Sequence, residues 1–329
     1  MILLSFGTRP EYIKFKPLME QMKGRIDYKT LFTGQHVDLV SNKTDYRINI
    51  KDGNNRLDSI VSSIMDSVDF SGCSAVMVQG DTTSAYAVAL SAFHHRVPII
   101  HLEAGLRTYN LEHPYPEEAN RQMIARIAAL HLCPTELSRQ LLVDERLLGK
   151  MEVVGNTVLD NLVNIKTSNK NKILVTMHRR ENHALIEEWF MKINDLAKQY
   201  SEYEFRLPIH PNPAVRKSVG ILKNVDVVEP MCYNELVDYL SQCSFVITDS
   251  GGIQEESAFL RKPCLVCRKD TGRKEGMGNF SLLCEDPDSL AKQFDQLSLL
   301  KMSGPCPYGD GTASEKIIRI LQDENNYSS

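Results

Sequence analysis

The sequence has little that would suit it to nucleic acid, to a membrane or to an oxidising compartment. Lys and Arg number 38 and Asp and Glu 42, so the formal charge is −4 and the basic excess of a nucleic-acid binder is missing. No apolar run approaches the roughly 18 residues that span a bilayer, and the opening residues MILLSF lack the basic segment of a signal peptide. The eight cysteines are scattered, which predicts reduced thiols and a cytoplasmic protein.

Several common signatures of cofactor and metal sites are also missing. There is no GxGxxG and no GxxxxGK[ST] segment, so neither dinucleotide nor P-loop chemistry is indicated. Cys264 and Cys267 have CxxC spacing, but they lie in an apolar segment that predicts a buried strand. Residues three apart on a strand face opposite sides, so these thiols cannot share one metal ion. We therefore predict no metal and no cofactor.

What the chain does contain is a regular alternation of short apolar runs and helical patterns, which predicts parallel sheets with crossover helices. The strands predicted for the first half are Ile2–Phe6, Tyr28–Phe32, Ala75–Val78, Val97–Leu102 and Met151–Val154, and the helices are Glu11–Met22, Leu57–Val68, Ser84–His94 and Glu117–Leu130. The strands predicted for the second half are Ile173–Met177, Phe205–Pro208, Val225–Val228, Phe245–Thr248 and Cys264–Cys267, and the helices are Ile186–Gln199, Glu235–Gln242 and Ile253–Leu260. The polar segment Lys166–Lys172 is the best linker. The sequence thus predicts an α/β protein of two Rossmann-like, doubly wound domains facing a cleft, residues 1–166 and 167–307.

Ligands bind at the carboxyl ends of the strands in such sheets, and one of these ends suits a nucleotide. The segment Asp249–Glu256 follows an apolar strand and opens a helix. Gly251 and Gly252 let the backbone approach a ligand, and free N–H groups at a helix start favour phosphate. Glu256, one turn further, can accept hydrogen bonds from both ribose hydroxyls. The alternative is a tight strand-to-helix turn with a solvated pair of glutamates.

The first half carries a similar strand–turn–helix segment, Gly7–Lys14. Arg9 and Lys14 could supply positive charge to a diphosphate. The alternative makes Pro10 the first residue of a helix and Arg9 an ordinary surface charge.

Acidic side chains gather at the same sheet edge of the first half. Asp81 and Glu103 follow predicted strands, and Glu117 opens a helix with Arg121 four residues later on the same face. Each alone would be read as a cap or a surface ion pair, but together they indicate acid–base chemistry. His178 follows a strand of the second half and suits phosphate contact or general acid catalysis.

Taken together, these segments resemble the non-hydrolysing UDP-N-acetylglucosamine 2-epimerases, a family with a GT-B-like fold. The motifs that carry the resemblance extend along nearly the whole chain: Gly7-Thr-Arg-Pro-Glu11 with Lys14, Thr33–His36, Gln79–Thr83, His101–Arg107, Pro116–Arg121, Gly155-Asn-Thr157, His178–Asn182, Asp249–Glu256 and Pro307–Gly311. The resemblance implies a homodimer whose terminal helix, about residues 308–329, packs back onto the first domain. It also implies reversible conversion of UDP-GlcNAc to UDP-ManNAc, through elimination of UDP to 2-acetamidoglucal and re-addition.

The resemblance assigns roles by matching motif positions. Asp81, Glu103 and Glu117 match the acid–base set, supported by Arg121 and His178. The residues matched to substrate binding, including the departing diphosphate, are Arg9, Lys14, His178, Ser250, Gly251, Gly252, Glu256 and Arg273. Among them, Glu256 matches the ribose-binding glutamate. Gln35 and His36 match the site at which many bacterial members bind a second UDP-GlcNAc as activator.

The sequence departs from the family pattern at three places. Met231 stands where glutamine is usual, Gly272 replaces a glutamate before Arg273, and Asp52–Leu57 lacks an arginine–glutamine pair of the activator site. Four alternatives stay open: an epimerase of a related UDP-2-acetamido sugar, a hydrolysing 2-epimerase, a GT-B glycosyltransferase and a non-catalytic UDP-sugar sensor. Thr82 stands where hydrolysing relatives carry arginine, which favours the non-hydrolysing type.

Overall fold

The computed structural model describes residues 1–36, 43–323 and 327, with the side chains of positions 180 and 214 outside the description. These residues form two compact units. The first comprises Met1–Asn161 and Gly309–Ser329, and the second comprises Leu162–Tyr308.

The first unit is built on a parallel sheet. Its strands are β1 (Ile2–Phe6), β2 (Tyr28–Phe32), β3 (Tyr46–Arg47), β4 (Ala75–Gln79), β5 (Ile99–Leu102), β6 (Leu130–Cys133) and β7 (Lys150–Val153). Its crossover helices are α1 (Arg9–Met22), α2 (Arg56–Ser67), α3 (Thr83–His94), α4 (Glu117–Ile127) and α5 (Glu136–Asp144). The strand order is β3-β2-β1-β4-β5-β6-β7, and every residue of β1 and β4 is buried, as in a sheet covered on both faces.

The second unit repeats this plan in the strand order β10-β9-β8-β11-β12-β13. Its strands are β8 (Lys172–Thr176), β9 (Glu204–Pro208), β10 (Asp226–Val228), β11 (Phe245–Thr248), β12 (Cys264–Cys267) and β13 (Ser281–Cys284). Its helices are α6 (Ile186–Gln199), α7 (Pro213–Ser218), α8 (Tyr233–Gln242), α9 (Gly251–Phe259) and α10 (Leu290–Ser298). All pairings are parallel, so the predicted α/β class with parallel sheets is confirmed.

The last helix, α11 (Ala313–Leu321), belongs to the first unit. It packs against α1, and its apolar side chains Ile317, Ile318 and Leu321 are buried in the cluster that also holds Leu4 of β1. Asp160 accepts the backbone N–H groups of Ala313 and Ser314 and so ties down the start of the helix. Positions 324–326, 328 and 329 of the predicted terminal helix lie outside the described residues.

Several predicted boundaries were wrong. The helix predicted over Glu117–Leu130 ends at Ile127, because Ala128 turns to an extended conformation and Leu130 already begins β6. The predicted linker runs too far, since Lys172 is the first residue of β8. Elements β3, β6, α5, α7, β13 and α10 were not predicted at all. Cys264–Cys267 does form a buried strand, as predicted.

Among the described residues, no helix combines the length and the apolar character that crossing a bilayer requires.

Candidate active site

The carboxylate of Glu103 lies at the centre of a buried cluster in the first unit. Glu103 directly follows β5 and adopts a φ of +64°, a left-handed conformation that is uncommon for a residue with a side chain. The Lys14 ammonium from α1 and the Gln79 amide from the end of β4 both contact Oε2, and Asn156 Nδ2 lies 3.2 Å from Oε1. Lys14 and Glu103 are each only 8% exposed. The chain thus holds one carboxylate against a cation and two amides in a largely water-free setting.

Asp81 follows β4 by way of Gly80, which has a φ of +67°. A methyl group at Gly80 would lie 3.6 Å from Oε2 of Glu103, so the two carboxylate-bearing segments adjoin. His101 Nε2 lies 2.7 Å from the Gly80 carbonyl oxygen, and burial lowers the pKa of His101 to about 3. A neutral imidazole that donates to this carbonyl fixes the turn that presents Asp81.

Arg121 on α4 links Asp81 to a buried glutamate. Its Nη2 contacts the Asp81 carboxylate, its Nη1 lies 3.2 Å from Oε2 of Glu118, and the neighbouring Asn120 side chain donates to the Asp81 carbonyl. Glu118 is fully buried and also accepts the backbone N–H of Thr108. Asp81 and Arg121 therefore form an ion pair, and Glu118 and Asn120 hold it in place.

Glu117 is half-buried at the first position of α4, one turn before Arg121 and beside Glu118 in the chain. This is the helix-start position that the sequence predicts for it.

The turn that carries Arg9 is organised by a glutamate to which the sequence reading gave no role. Oε2 of Glu11 accepts the backbone N–H groups of Gly7 and Thr8, and Oε1 accepts the hydroxyl of Thr82, next to Asp81. Glu11 is buried, and this burial raises its pKa. The side chain joins the two predicted ligand loops of the first unit, while Arg9 itself is exposed at the start of α1.

Gln35 and His36 lie against the same turn. The Gln35 side-chain oxygen accepts the backbone N–H of Ser84, and the backbone N–H of His36 donates to Gly7. Arg56, the first residue of α2, donates to the Gln35 carbonyl at 3.2 Å. The two residues matched to an activator site thus adjoin the loop that bears Arg9.

The start of α9 forms the core of a cluster in the second unit. Ser250 is the N-cap residue, and its own backbone N–H donates to the Thr248 hydroxyl. A methyl group at Gly252 would meet only the Ser250 hydroxyl, at 3.9 Å, so the space beside it is open. The first N–H groups of this helix have no partners within the helix, as at any helix start, and they attract anions.

Gly251 also leaves room for the side chain of Arg273. A methyl group there would lie 2.3 Å from Nη1 of Arg273, so only hydrogen leaves room for the guanidinium against the first turn of α9. Arg273 Nε donates to Oε1 of Glu255, a carboxylate that is 1% exposed, at 2.6 Å. The start of α9 and the guanidinium of Arg273 therefore both contribute positive potential at the same place.

Glu256 is buried one turn into α9. The Tyr233 hydroxyl, at the start of α8, donates to its Oε1 at 2.9 Å, which orients the carboxylate.

His178 lies two residues beyond β8, next to the end of β11. Its ring stacks on His210 with 5.1 Å between the ring centres and 14° between the planes, and Nδ1 lies 3.5 Å from Oδ1 of Asp249. Burial lowers the pKa of His178 to about 4, and the Asp249 carboxylate opposes that shift. The imidazole is therefore neutral near pH 7 in the ligand-free protein.

The sequence reading missed the residues that hold the predicted ones. Those side chains are Glu11, Gln79, Glu118, Asn156, Tyr233, Glu255 and Asp249. Most of them lie within or next to the motifs that carry the family resemblance, so closeness to such a motif was the signal that could have found them. Within the described residues, no group of three His, Cys, Asp or Glu side chains is arranged to hold a metal ion.

Comparison with known proteins decides the family. A model of the family described as UDP-N-acetylglucosamine 2-epimerase matches residues 20–322. The chain belongs to the UDP-N-acetylglucosamine 2-epimerase family. It is 39% identical to a UDP-N-acetylglucosamine 2-epimerase of Campylobacter jejuni over 99% of both chains, and 37% identical to one of Neisseria meningitidis over 97% of this chain and 98% of the relative.

Solved structures agree with this membership. The structure of UDP-GlcNAc 2-epimerase from Neisseria meningitidis bound to UDP-GlcNAc has a TM-score of 0.87 and 34% identity, covering 97% of this chain and 99% of the other. A glycosyltransferase from Streptomyces nogalater, 17% identical with a TM-score of 0.53, shares the fold alone. The predicted GT-B-like fold class and the predicted epimerase family are both confirmed.

Proposed function

We propose that this protein interconverts UDP-GlcNAc and UDP-ManNAc by eliminating UDP and adding it back. The observation that carries the proposal is the buried cluster of the first unit, where Glu103 contacts Lys14 and Asp81 contacts Arg121. Two fixed carboxylates on adjoining segments suit a reaction that removes a proton from one face of a carbon and returns one to the other. The family relationship supports the same reaction.

The chemistry requires both proton transfer and stabilisation of a leaving group. The C2–H bond of the sugar has no adjacent carbonyl to acidify it, so departure of the diphosphate must carry much of the reaction. A carboxylate takes the C2 proton as the C1–O bond breaks, which gives 2-acetamidoglucal and UDP. In the return step UDP adds to C1 while an acid protonates C2 on the opposite face. Asp81, Glu103 and Glu117 are proposed as this set, with Arg121 as their charged support.

The cluster of the second unit is proposed to hold the uridine diphosphate. The N–H groups of Ser250, Gly251 and Gly252, together with Arg273, would bind the diphosphate, and Glu256 would bind the ribose. His178 would stabilise the negative charge that develops on the departing phosphate. Arg9 and Lys14 are proposed as further cations for the substrate, although the ion pair of Lys14 with Glu103 gives that lysine a second task.

Oligomeric state, location and regulation also belong to the proposal. We expect a cytoplasmic homodimer that needs no metal or cofactor. An activator role for Gln35 and His36 stays a prediction.

Product analysis tests the proposal. The purified chain is incubated with UDP-GlcNAc and the products are separated by anion-exchange chromatography. Formation of UDP-ManNAc, with UDP-GlcNAc re-formed from UDP-ManNAc in the reverse experiment, is the expected result. Free ManNAc with UDP would identify the hydrolysing branch instead. Transfer of GlcNAc to an added acceptor, or an unchanged substrate, would contradict the epimerase assignment.

A further inference from the structure

Asp249 is a buried carboxylate beside His178 to which the family motifs assign no separate role. It directly follows β11 and has no exposed surface. Its Oδ2 accepts three hydrogen bonds, from the backbone N–H groups of His178 and Arg179 at 2.8 and 2.7 Å and from the Asn182 amide at 3.1 Å. These donors come from one segment after β8, so the carboxylate plane is fixed relative to His178.

The other oxygen of Asp249 faces the imidazole. Among the described residues Oδ1 accepts no hydrogen bond, although it is fully buried, and it lies 3.5 Å from Nδ1 of His178. Leaving a buried acceptor without a partner is costly, so a hydrogen-bond donor on Nδ1 is strongly favoured there. His210, stacked on the same ring, limits how the ring can tilt away.

We propose that Asp249 is a positioning residue that keeps a proton on Nδ1 of His178 and leaves Nε2, the opposite ring nitrogen, for the ligand. The His178 side chain is 32% exposed, so its ring is accessible to a bound molecule. In the neutral ring this tautomer puts a lone pair on Nε2. An anionic ligand can accept a hydrogen bond from Nε2 only after that nitrogen has taken up a proton.

The consequence for catalysis rests on the proposed function. When a UDP-sugar binds, Nε2 takes a proton from solvent, and the resulting imidazolium lies between the Asp249 carboxylate and the diphosphate. That cation then donates to the phosphate oxygen as the C1–O bond breaks. The other charged groups at the ring are Arg179 and Arg268, which oppose protonation, and Arg268 is paired with Glu181 at 2.7 Å. His210 also opposes protonation, so the Asp249 carboxylate is needed for the His178 ring to take up a second proton.

Nitrogen NMR on the ligand-free, full-length protein tests the tautomer directly. The His178 ring signals, assigned by their loss in His178→Gln, are expected to show Nδ1 protonated in the wild type. Asp249→Asn keeps an oxygen for the three donors but turns an amide N–H towards Nδ1, so the Nε2–H form should gain population. Asp226→Asn, at an exposed ion pair with Arg206 in the same unit, is the matched control and should leave the tautomer unchanged. A wild-type ring protonated on Nε2 would by itself overturn the proposal. An unchanged tautomer in Asp249→Asn would overturn it as well.

Calorimetry of UDP-GlcNAc binding at pH 6.5 tests the linked proton. Epimerisation consumes no net proton, so the dependence of the heat on buffer ionisation enthalpy counts the protons taken up on binding. Uptake should approach about one proton per site in the wild type and in Asp226→Asn, and should be lost in Asp249→Asn. Binding without uptake in the wild type, or equal uptake in Asp249→Asn, would contradict the proposal. Absence of any binding would contradict the proposed function, while the NMR result would still decide the tautomer.

Discussion

Gly251 and Arg273 occupy positions that depend on each other. The guanidinium lies where the methyl group of an alanine at 251 would be, and Glu255 anchors it from the other side. Gly251→Ala must therefore displace Arg273 from the start of α9. We expect the Kd for UDP to rise about tenfold, or about 1.4 kcal/mol, in isothermal titration calorimetry.

The control for this variant is Gly220→Ala, in the same unit. No heavy atom lies within 4 Å of a methyl group placed at Gly220, so UDP binding should be unchanged. An unaltered Kd in Gly251→Ala, or equal weakening in both variants, would show that the position of Arg273 does not matter for the diphosphate.

Asp81 is the carboxylate whose replacement tests proton transfer most simply. Asp81→Asn keeps the size of the side chain but removes the base and weakens the contact with Arg121. The rate of UDP-ManNAc formation should fall about 10²–10⁴-fold, the usual contribution of a general acid or base, with a much smaller change in KM. Asp66→Asn, at an exposed ion pair with Lys51, should keep the wild-type rate. Comparable rates for Asp81→Asn and wild type would remove Asp81 from the mechanism.

At the residue scale, sequence reading identified chemistry better than it identified support. Asp81, Glu103 and His178 stand out because they follow strands and belong to motifs. Gln79 and Glu255 could not be given roles in this way, since their importance arises only when the fold brings a charged partner against each of them, Glu103 and Arg273 respectively.

At the scale of secondary-structure elements, α11 shows how a distant segment completes a core. Ile317 is fully buried in the cluster around β1, whereas Ile320 on the same helix is only half-buried. Ile317→Ala should destabilise the first unit by about 2–5 kcal/mol because it leaves a cavity in packed surroundings. Urea unfolding followed by circular dichroism should show a clear fall in the midpoint for this variant.

Ile320→Ala removes the same atoms from a more accessible position on α11, so it should lower the urea midpoint by much less. If both alanine variants unfolded at the same urea concentration, α11 would not be a packed part of the core.

The predicted elements were most accurate where one strand or helix is set off by turn residues. Strands Ile2–Phe6 and Phe245–Thr248 match the structure in full. The segment after Glu117 was misread because the apolar positions at the end of α4 run on into β6 and only two residues, both alanine, separate the two elements. Periodicity alone cannot place such a boundary. The change to extended backbone at Ala128 results from pairing of β6 with β5 and β7, which is a tertiary contact.

For the whole molecule, histidines whose pKa is lowered by folding should make stability depend on pH. His101 has no exposed surface, and burial lowers its pKa from 6.5 to about 3, so the unfolded chain binds the proton more readily. Its contribution to stability is present above pH 6.5 and is lost as the pH falls towards 3. His178, whose side chain is partly exposed but whose pKa is also lowered, to about 4, acts in the same direction in the second unit.

Urea midpoints measured between pH 4 and 7 should therefore rise with pH, and the rise should be shallower in His101→Asn by up to about one bound proton. His94→Asn, at an exposed position, is the control and should keep the wild-type slope. A His101→Asn variant with an unchanged slope would show that His101 does not carry this dependence.

Proton NMR of the protein with UDP-GlcNAc in D₂O tests the central claim most directly. The C2 proton is removed and a deuteron from solvent replaces it. We therefore predict UDP-ManNAc with deuterium at C2, together with deuterium at C2 of the recovered UDP-GlcNAc. UDP-ManNAc that kept the original C2 proton would contradict proton transfer by the acid–base cluster. A substrate that stayed unchanged and undeuterated would contradict the epimerase activity itself.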